Sequence, residues 1–273
     1  MTQRPNSVPD IRPLTISDLR KSLALGVRDF AATPLIDVFF AVFFVVTGLI
    51  MAWVTYETET TFWLVLAVLG FPLIGGLAAL GFYETSRRRM QGEPLRLWEI
   101  AGVAWSHRSG QLPWLAIIIV VVFLFWFFLG HMIFALFLGL APMTNISSSL
   151  DVFLTTDGLT MLVFGTVVGA VFATLVFSIS VLGMPMLLDR DVDFISAMLR
   201  SISAVVANPM IYLVWGLFIG IVTIASMVPM FLGLFITMPI LGHATWHLYK
   251  QVSDVTPPAA TPGSSNGSVP TDA

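Results

Sequence analysis

Cysteine is absent from the 273 residues of this chain, and charged residues are scarce. The lack of cysteine excludes disulfides, iron–sulfur clusters, thiolate metal sites and a cysteine nucleophile. Only 11% of the residues are charged, whereas soluble domains contain about 25%. With 57% hydrophobic residues, the chain has more apolar surface than a soluble core can bury, so its composition predicts a membrane protein.

Basic residues are missing from several of the connections between apolar runs. All thirteen fall in segments that a single topology places on one membrane face: Arg4, Arg12, Arg20, Lys21, Arg28, Arg87, Arg88, Arg89, Arg96, Arg108, Arg190, Arg200 and Lys250. Short loops rich in Lys and Arg are poorly translocated and stay in the cytoplasm. We therefore expect a multi-pass protein with both termini in the cytoplasm. A basic patch with interleaved aromatic residues is also lacking, so no nucleic-acid partner is expected.

Long apolar runs dominate the rest of the sequence. Four of them are each long enough to span a bilayer, at about 35–56, 61–83, 113–140 and 159–188. The last run, 209–249, would be about 61 Å long as one helix, about twice the bilayer core. It must fold back at the turn signal Ser226–Pro229. The sequence thus predicts an all-α fold with six transmembrane helices, the last two at 209–227 and 229–249.

The six helices are predicted to form three hairpin repeats. Each hairpin opens with a proline at the first helical position, where the missing N–H needs no partner: Pro34, Pro113 and Pro209. Each closes on a helix with an interior proline close to a glycine: Pro72, Pro185 and Pro239. An amphipathic segment precedes each hairpin, at 15–32, 95–108 and 194–207, and its apolar stripe and cationic flanks are typical of a helix in the membrane interface.

The predicted membrane domain covers 15–250. Residues 1–14 are expected to be a flexible cytoplasmic segment, and 251–273, rich in Pro, Ser, Gly and Thr, a disordered cytoplasmic tail. In the first amphipathic segment the stripe is Ile16, Leu19, Leu23, Val27 and Phe30, and Thr15 and Asp18 have capping-box spacing. Asp193 is expected to cap the third.

Two histidines four residues apart, His243 and His247, lie near the cytoplasmic end of the last predicted helix. This spacing puts both rings on one helix face, as a metal pair requires, and His107 or Glu84 could supply a third ligand. The alternative is an interfacial aromatic belt, in which amphipathic rings lie at the headgroups. We expect no cofactor, and metal or haem binding by the two histidines is kept as an alternative.

Asp37 and His131 are ionisable groups inside predicted membrane helices, where such groups are candidate functional residues. Asp37 is in the first turn of its helix, where a carboxylate also complements the helix dipole. His131 lies about ten residues before an outer turn and can reach the headgroups. Both residues therefore have a structural interpretation beside the functional one.

Glu84 precedes a cationic run, Arg87–Arg89, at the cytoplasmic end of the second predicted helix. The three arginines first fix the topology of that helix, and their charge also suits anionic lipid headgroups. Glu84 is a candidate polar residue on the same side of the membrane.

No catalytic signature occurs: the chain has no Gly-rich phosphate loop, no G-x-S-x-G and no H-E-x-x-H. We therefore expect a non-catalytic structural or accessory component of a membrane complex, surrounded by lipid and contacting other membrane proteins or a second copy of itself. Gly165 and Gly169, spaced as G-x-x-x-G, would permit such close helix packing. The alternative function is a channel or transporter for a small solute or ion at the repeat interface.

Three segments, Gly75–Arg89, Val181–Phe194 and Gly242–Tyr249, resemble a bacterial family of predicted integral membrane proteins known as domain of unknown function 2189. The resemblance covers roughly residues 12–250. It implies a location in the inner membrane of a Gram-negative bacterium, and it supports the predicted topology. It transfers no site residues.

Overall fold

The computed structural model describes residues 7–58, 79–106, 110–139 and 153–253. Within these ranges the chain is all-helical, without strands, which confirms the predicted fold class for this part. The ten α-helices of these ranges are α1 Ile16–Ala32, α2 Pro34–Thr58, α3 Leu80–Gln91, α4 Leu97–Ser106, α5 Leu112–Leu138, α6 Thr156–Ser180, α7 Gly183–Asp189, α8 Phe194–Ala207, α9 Pro209–Met227 and α10 Leu234–Ser253.

Four stretches of the described chain are long and apolar enough to cross a membrane: α2, α5, the α6–α7 stretch Thr156–Asp189, and α9. Of the other two predicted spans, 61–83 lies mostly outside the described residues. The second, predicted at 229–249, corresponds to α10, which is less apolar and packs against α1, α2, α3, α7 and α9. Six spans in three repeats therefore stay a prediction.

Helix α1 packs along the C-terminal part of α10, which the sequence pattern did not predict. The contact uses the face of α1 that carries Ser22, Gly26 and Asp29, all of them buried. A Cβ atom at Gly26 would lie 2.6 Å from the carbonyl oxygen of Ile240 and 2.8 Å from the amide nitrogen of Ala244. Glycine is therefore required at this position for the two backbones to approach so closely.

The apolar stripes of the amphipathic helices are covered unevenly. In α1, Leu19 is buried against protein, whereas Ile16 and Val27 are exposed. In α4, Trp98 is exposed, whereas Ile100 is buried. A stripe at helical spacing shows that a helix has an apolar side, but it does not distinguish a lipid neighbour from a protein neighbour.

The predicted helix 159–188 is interrupted between α6 and α7. Pro185 lies in the first turn of α7, where its missing N–H breaks no helical hydrogen bond. The amide of Leu182, in the interruption, donates to Ser201 Oγ of α8 at 3.1 Å. A neighbouring helix thus supplies the hydrogen-bond partner that broken backbone in a membrane protein needs.

Two predicted N-caps are confirmed. The amide of Asp18 donates to Thr15 Oγ1 at 3.2 Å, and the amide of Thr15 donates to Asp18 Oδ2 at 2.9 Å, which completes the capping box of α1. Asp193 Oδ1 accepts from the amide of Ser196 at 2.8 Å at the start of α8.

The turn between α9 and α10 is fixed against α2. Met230 and Phe231 have positive φ values of 52° and 64°, a conformation that costs roughly 1–2 kcal/mol for residues with a Cβ. Phe231 is buried and lies so close to Gly48 of α2 that a Cβ atom there would overlap its ring. This contact holds the start of α10 beside α2, on which the site described below depends.

The described parts of the three segments that carry the family resemblance converge in space. The first two contain a Leu-Gly pair, Leu80-Gly81 and Leu182-Gly183, and the third begins with the glycine of Leu241-Gly242. The three leucines are buried in the same hydrophobic core. Helices α3 and α10 contain the first and last pairs, the second pair lies at the start of α7, and the three helices contact one another. The centre of the described bundle is therefore built from segments that lie far apart in the sequence.

Candidate functional site: a buried polar network

Four helices bring a set of polar side chains together inside the protein. They are Asp29 of α1, Thr33 at the α1–α2 junction, Asp37 of α2, Ser86 and Arg89 of α3, and His243 and His247 of α10. The amide of Asp37 donates to the carbonyl of Thr33 at 3.1 Å, as in a helix. Asp29, Thr33 and Asp37, four residues apart, consequently lie on one side of the junction and face the histidine pair of α10.

His243 is completely buried, and both of its ring nitrogens have partners. Its Nε2 lies 3.0 Å from Oδ1 of Asp37, which is also completely buried. Its Nδ1 lies 2.8 Å from Oγ of Ser86. One imidazole ring therefore links α10 to α2 on one side and to α3 on the other.

Asp29 has the most partners in the network. Its Oδ2 accepts from Ser86 Oγ at 2.6 Å and from His247 Nε2 at 2.7 Å, and its Oδ1 accepts from Arg89 Nε at 3.0 Å. Burial acts to raise the pKa of Asp29, but the hydrogen bonds from His247 and Ser86 outweigh it and hold the pKa well below its usual range. Asp29 is therefore a carboxylate at neutral pH.

Thr33 joins the two carboxylates. Its Oγ1 lies 2.9 Å from the carbonyl oxygen of Asp29 and 2.9 Å from Oδ2 of Asp37. Because Thr33 also ends α1, the same residue terminates one helix and contacts the first acidic side chain of the next.

Glu84 forms a second cluster on the same helix, α3. It is completely buried and accepts from Arg87 Nε and Arg88 Nε, each at 2.7 Å. Burial acts to raise the pKa of Glu84, but the two arginines outweigh it and lower the pKa. Arg88 also binds Glu99 of α4 at 2.8 Å, so this cluster fixes the connection between α3 and α4.

The three arginines of the run thus bind two different carboxylates. Arg87 and Arg88 pair with Glu84, whereas Arg89 pairs with Asp29 and joins the network. The predicted topogenic role of these residues stays a prediction. Their guanidinium groups also have carboxylate partners within the protein, which the sequence pattern did not indicate.

The structure brings together three of the five candidate polar residues: Asp37, His243 and His247. Glu84 belongs to the second cluster. His131 lies on α5, outside the four helices of the network, and its Nδ1 donates to the carbonyl of Phe127 at 2.8 Å within its own helix.

Three members of the network were missed in the sequence: Asp29, Thr33 and Ser86. A signal was present for the first two, because Asp29, Thr33 and Asp37 repeat at intervals of four through Pro34. Ser86 carried no signal, since a serine among arginines at a helix end is ordinarily solvated.

The described residues contain no group of three or more His, Cys, Asp or Glu side chains that could hold a metal ion. Both ring nitrogens of His243 bind protein atoms, and Nε2 of His247 binds Asp29. His107, one proposed third ligand, lies outside the described residues, and Glu84, the other, is bound by two arginines. The geometry therefore does not favour a metal site at the histidine pair.

The comparisons with known proteins support a membrane protein. Residues 64–189, just under half of the chain, match the model of a family described as a predicted integral membrane protein, domain of unknown function 2189. The resemblance noted in the sequence motifs is thus confirmed over this range, which includes the first of the three quoted segments and most of the second. Nothing among the curated proteins or the solved structures matches the chain.

Proposed function

We propose that this integral membrane protein has a non-catalytic structural or accessory role in a complex of the inner membrane, with both termini in the cytoplasm. The observation that supports the proposal is that the buried polar groups bind one another within the chain. Asp37, Glu84 and His243 are completely buried, and each binds other groups of the chain. Groups committed in this way hold helices together and are not free to bind a substrate.

The helix surfaces supply a place for a partner. No described atom lies within 4 Å of the position that a Cβ atom would take at Gly165 of α6, and the neighbouring Val163 and Val167 are exposed. Small residues on an apolar membrane helix allow another helix to approach closely. The α6 face around Gly165 is therefore the proposed contact with a second membrane protein or a second copy of this chain.

The test is purification of the full chain from native membranes in a mild detergent, followed by measurement of the particle mass and of the proteins that accompany it. We expect a particle larger than one chain, and Gly165→Leu should reduce it to one chain. Gly220→Leu is the matched control, because a Cβ atom at Gly220 would also have no described neighbour within 4 Å, but Gly220 lies on α9. A single chain without partners in the unsubstituted protein would contradict the proposal.

Transport of a small solute or ion is a second candidate, favoured by one observation. Asp37 and Glu84 are acidic side chains buried in a membrane protein, and such groups often line transport pathways. Purified protein in sealed vesicles distinguishes the two functions. Ion or solute flux above that of empty vesicles, abolished by Asp37→Asn, would replace the structural proposal, whereas equal flux would support it.

The three-repeat architecture is part of the same proposal. The second helix of each predicted hairpin has a Leu-Gly pair whose leucine lies in one common core, namely Leu80-Gly81, Leu182-Gly183 and Leu241-Gly242. Such repeats are common in membrane proteins and place equivalent helices around a centre. Six spans would then enclose the Leu-Gly core and the polar network beside it.

A further inference from the structure

Four side chains of the network form a single line of hydrogen-bonding contacts, Asp29–Ser86–His243–Asp37. The three contacts measure 2.6 Å, 2.8 Å and 3.0 Å. Each distance is that of a hydrogen bond, so each contact requires one hydrogen atom between its two heavy atoms. The line ends in a carboxyl group at both sides, and an ionised carboxyl group only accepts.

The residues in their ordinary forms supply too few hydrogens. The Ser86 hydroxyl provides one and a neutral His243 ring provides one, which leaves one of the three contacts without a hydrogen. His247 cannot supply it, because Nε2 of His247 binds Asp29 outside the line. The third hydrogen must therefore be an additional proton.

The position of that proton follows from Asp29. Arg89 and His247 hold Asp29 as a carboxylate, so Ser86 donates its only hydrogen to Asp29. The Ser86 oxygen then accepts from Nδ1 of His243, and the remaining contact is between Nε2 of His243 and Oδ1 of Asp37. We propose that Asp37 and His243 form a buried proton-binding site that holds one proton in the packed state.

Charge balance favours the bound proton. With it, Asp37 and His243 together are neutral, and Asp29 is balanced by Arg89. Without it, two hydrogens remain for three contacts, so either Asp37 faces the lone pair of the His243 ring or Asp29 faces a Ser86 oxygen that no longer donates to it. A buried charge that loses a hydrogen bond is strongly unfavourable, so release of the proton weakens the contacts that join α1, α2, α3 and α10.

The other helices packed on α10 do not change this balance. Asp189 of α7 accepts from Tyr249 and Lys250, further along α10. Tyr212 of α9 lies near Arg12 and Asp18. Glu84 of α3 is bound by Arg87 and Arg88. Within the described part of the chain, the charged and titratable groups bonded into the network beside the Asp37–His243 pair are thus Asp29, Arg89 and His247.

Exchange with water is expected at the side of Arg89. The Arg89 side chain is 24% exposed and that of His247 is 7% exposed, whereas those of Asp37 and His243 are completely buried. A proton reaching His243 from this side passes along the line through Ser86. The site therefore binds and releases its proton without opening to the membrane.

The experiment measures the protonation of both Asp37 and His243, because the proton lies between an oxygen atom of one and a nitrogen atom of the other. The full chain is prepared in lipid nanodiscs with ¹⁵N-labelled histidine and ¹³C-labelled aspartate, and NMR spectra are recorded from acid to alkaline pH. His243→Asn and Asp37→Asn identify the two sets of signals. At neutral pH we expect either both His243 nitrogens to carry hydrogen or Asp37 to be a carboxylic acid, followed by loss of one proton at higher pH.

Asp37→Asn provides the decisive comparison. The Asn amide can donate the third hydrogen itself, so His243 should become neutral and its signals should no longer change over the pH range in which the unsubstituted protein titrates. Asp191→Asn, at an exposed carboxylate outside the network, should leave the titration unchanged.

A neutral His243 beside an ionised Asp37 in the folded, unsubstituted protein at neutral pH would overturn the proposal. So would an unchanged His243 titration in a folded Asp37→Asn variant. If that variant does not fold, the spectrum of the unsubstituted protein decides alone, with signals identified by His243→Asn or by selective labelling, because the hydrogen count needs no substitution.

Discussion

At the scale of single residues, the environment of each buried polar side chain depends on its hydrogen-bond partners on other helices. Asp37 taken alone has a sufficient explanation in the dipole of α2, and His243 in an interfacial belt. Their contact joins positions 206 residues apart, a separation that no local pattern reports. The residue types could thus be predicted from the sequence, whereas their partners required the tertiary structure.

Asp29→Asn tests the energetic importance of the network. The substitution leaves Arg89 without its carboxylate partner and His247 without its acceptor charge, and loss of one partner of a buried pair costs about 3–5 kcal/mol. Because Arg89 is partly exposed, we expect a value near the lower end. Thermal unfolding in detergent, followed by circular dichroism, measures the loss of stability.

Asp10→Asn is the matched control, because Asp10 pairs with Arg200 but is completely exposed. Exposed pairs contribute about 0–1 kcal/mol to the free energy of unfolding.

The pKa of Asp29 is lower in the folded than in the unfolded state. The contribution of Asp29 to stability is therefore complete above an unfolded pKa of about 3.9 and is lost as the pH falls. Equal stability of the two variants at neutral pH would show that the network contributes little.

At the scale of helices, the sequence identified most elements but not their contacts. The caps at Thr15 and Asp193 were predictable, because capping depends on residues within one turn. The docking of α1 on α10 was not, since it depends on Gly26 and on small polar residues that a hydrophobic stripe does not register. Pro185 in the sequence indicated a disturbed helix at this place. The sequence did not indicate that Ser201 accepts the hydrogen bond of the Leu182 amide there.

Gly26→Ala should destabilise the protein by about 1–3 kcal/mol, because the added methyl group would overlap backbone atoms of α10 and force the helices apart. Gly130→Ala, in α5, is the control: none of the atoms that the structure describes lies within 4 Å of its Cβ position, and alanine favours a helix by up to about 1 kcal/mol. Thermal unfolding of both variants gives the comparison. A Gly26→Ala protein at least as stable as the control would mean that α1 and α10 separate without cost.

Ser201→Ala should loosen the interruption between α6 and α7. The buried amide of Leu182 would lose its acceptor, at a cost of about 1–3 kcal/mol, and should exchange faster with deuterium. Ser203→Ala changes an exposed serine of the same helix and should have neither effect. Unchanged exchange of the Leu182 amide after Ser201→Ala would show that another group accepts its hydrogen bond.

At the scale of the whole molecule, the predicted one-sided distribution of Lys and Arg and the contacts at the centre of the bundle concern the same region. Arg89, Lys250 and the network lie at the ends of helices that the predicted topology places towards the cytoplasm. Arg12 and Arg200 tie the N-terminal segment to the same region through Asp18 and Asp10. The predicted cytoplasmic face would thus be the side on which the chain makes most of its ion pairs.

The absence of cysteine makes the proposed orientation directly measurable, because a single introduced thiol has no competitor in the chain. Ser17→Cys places it on an exposed position of α1, and Thr156→Cys places it on an exposed position at the start of α6. With both termini in the cytoplasm, a membrane-impermeant maleimide should label Cys at position 156 in intact Gram-negative cells. It should label position 17 only after lysis, since the inner membrane shields the cytoplasmic face. The cysteine-free chain gives the background, and labelling of position 17 before lysis would reverse the orientation and place the network on the opposite side of the membrane.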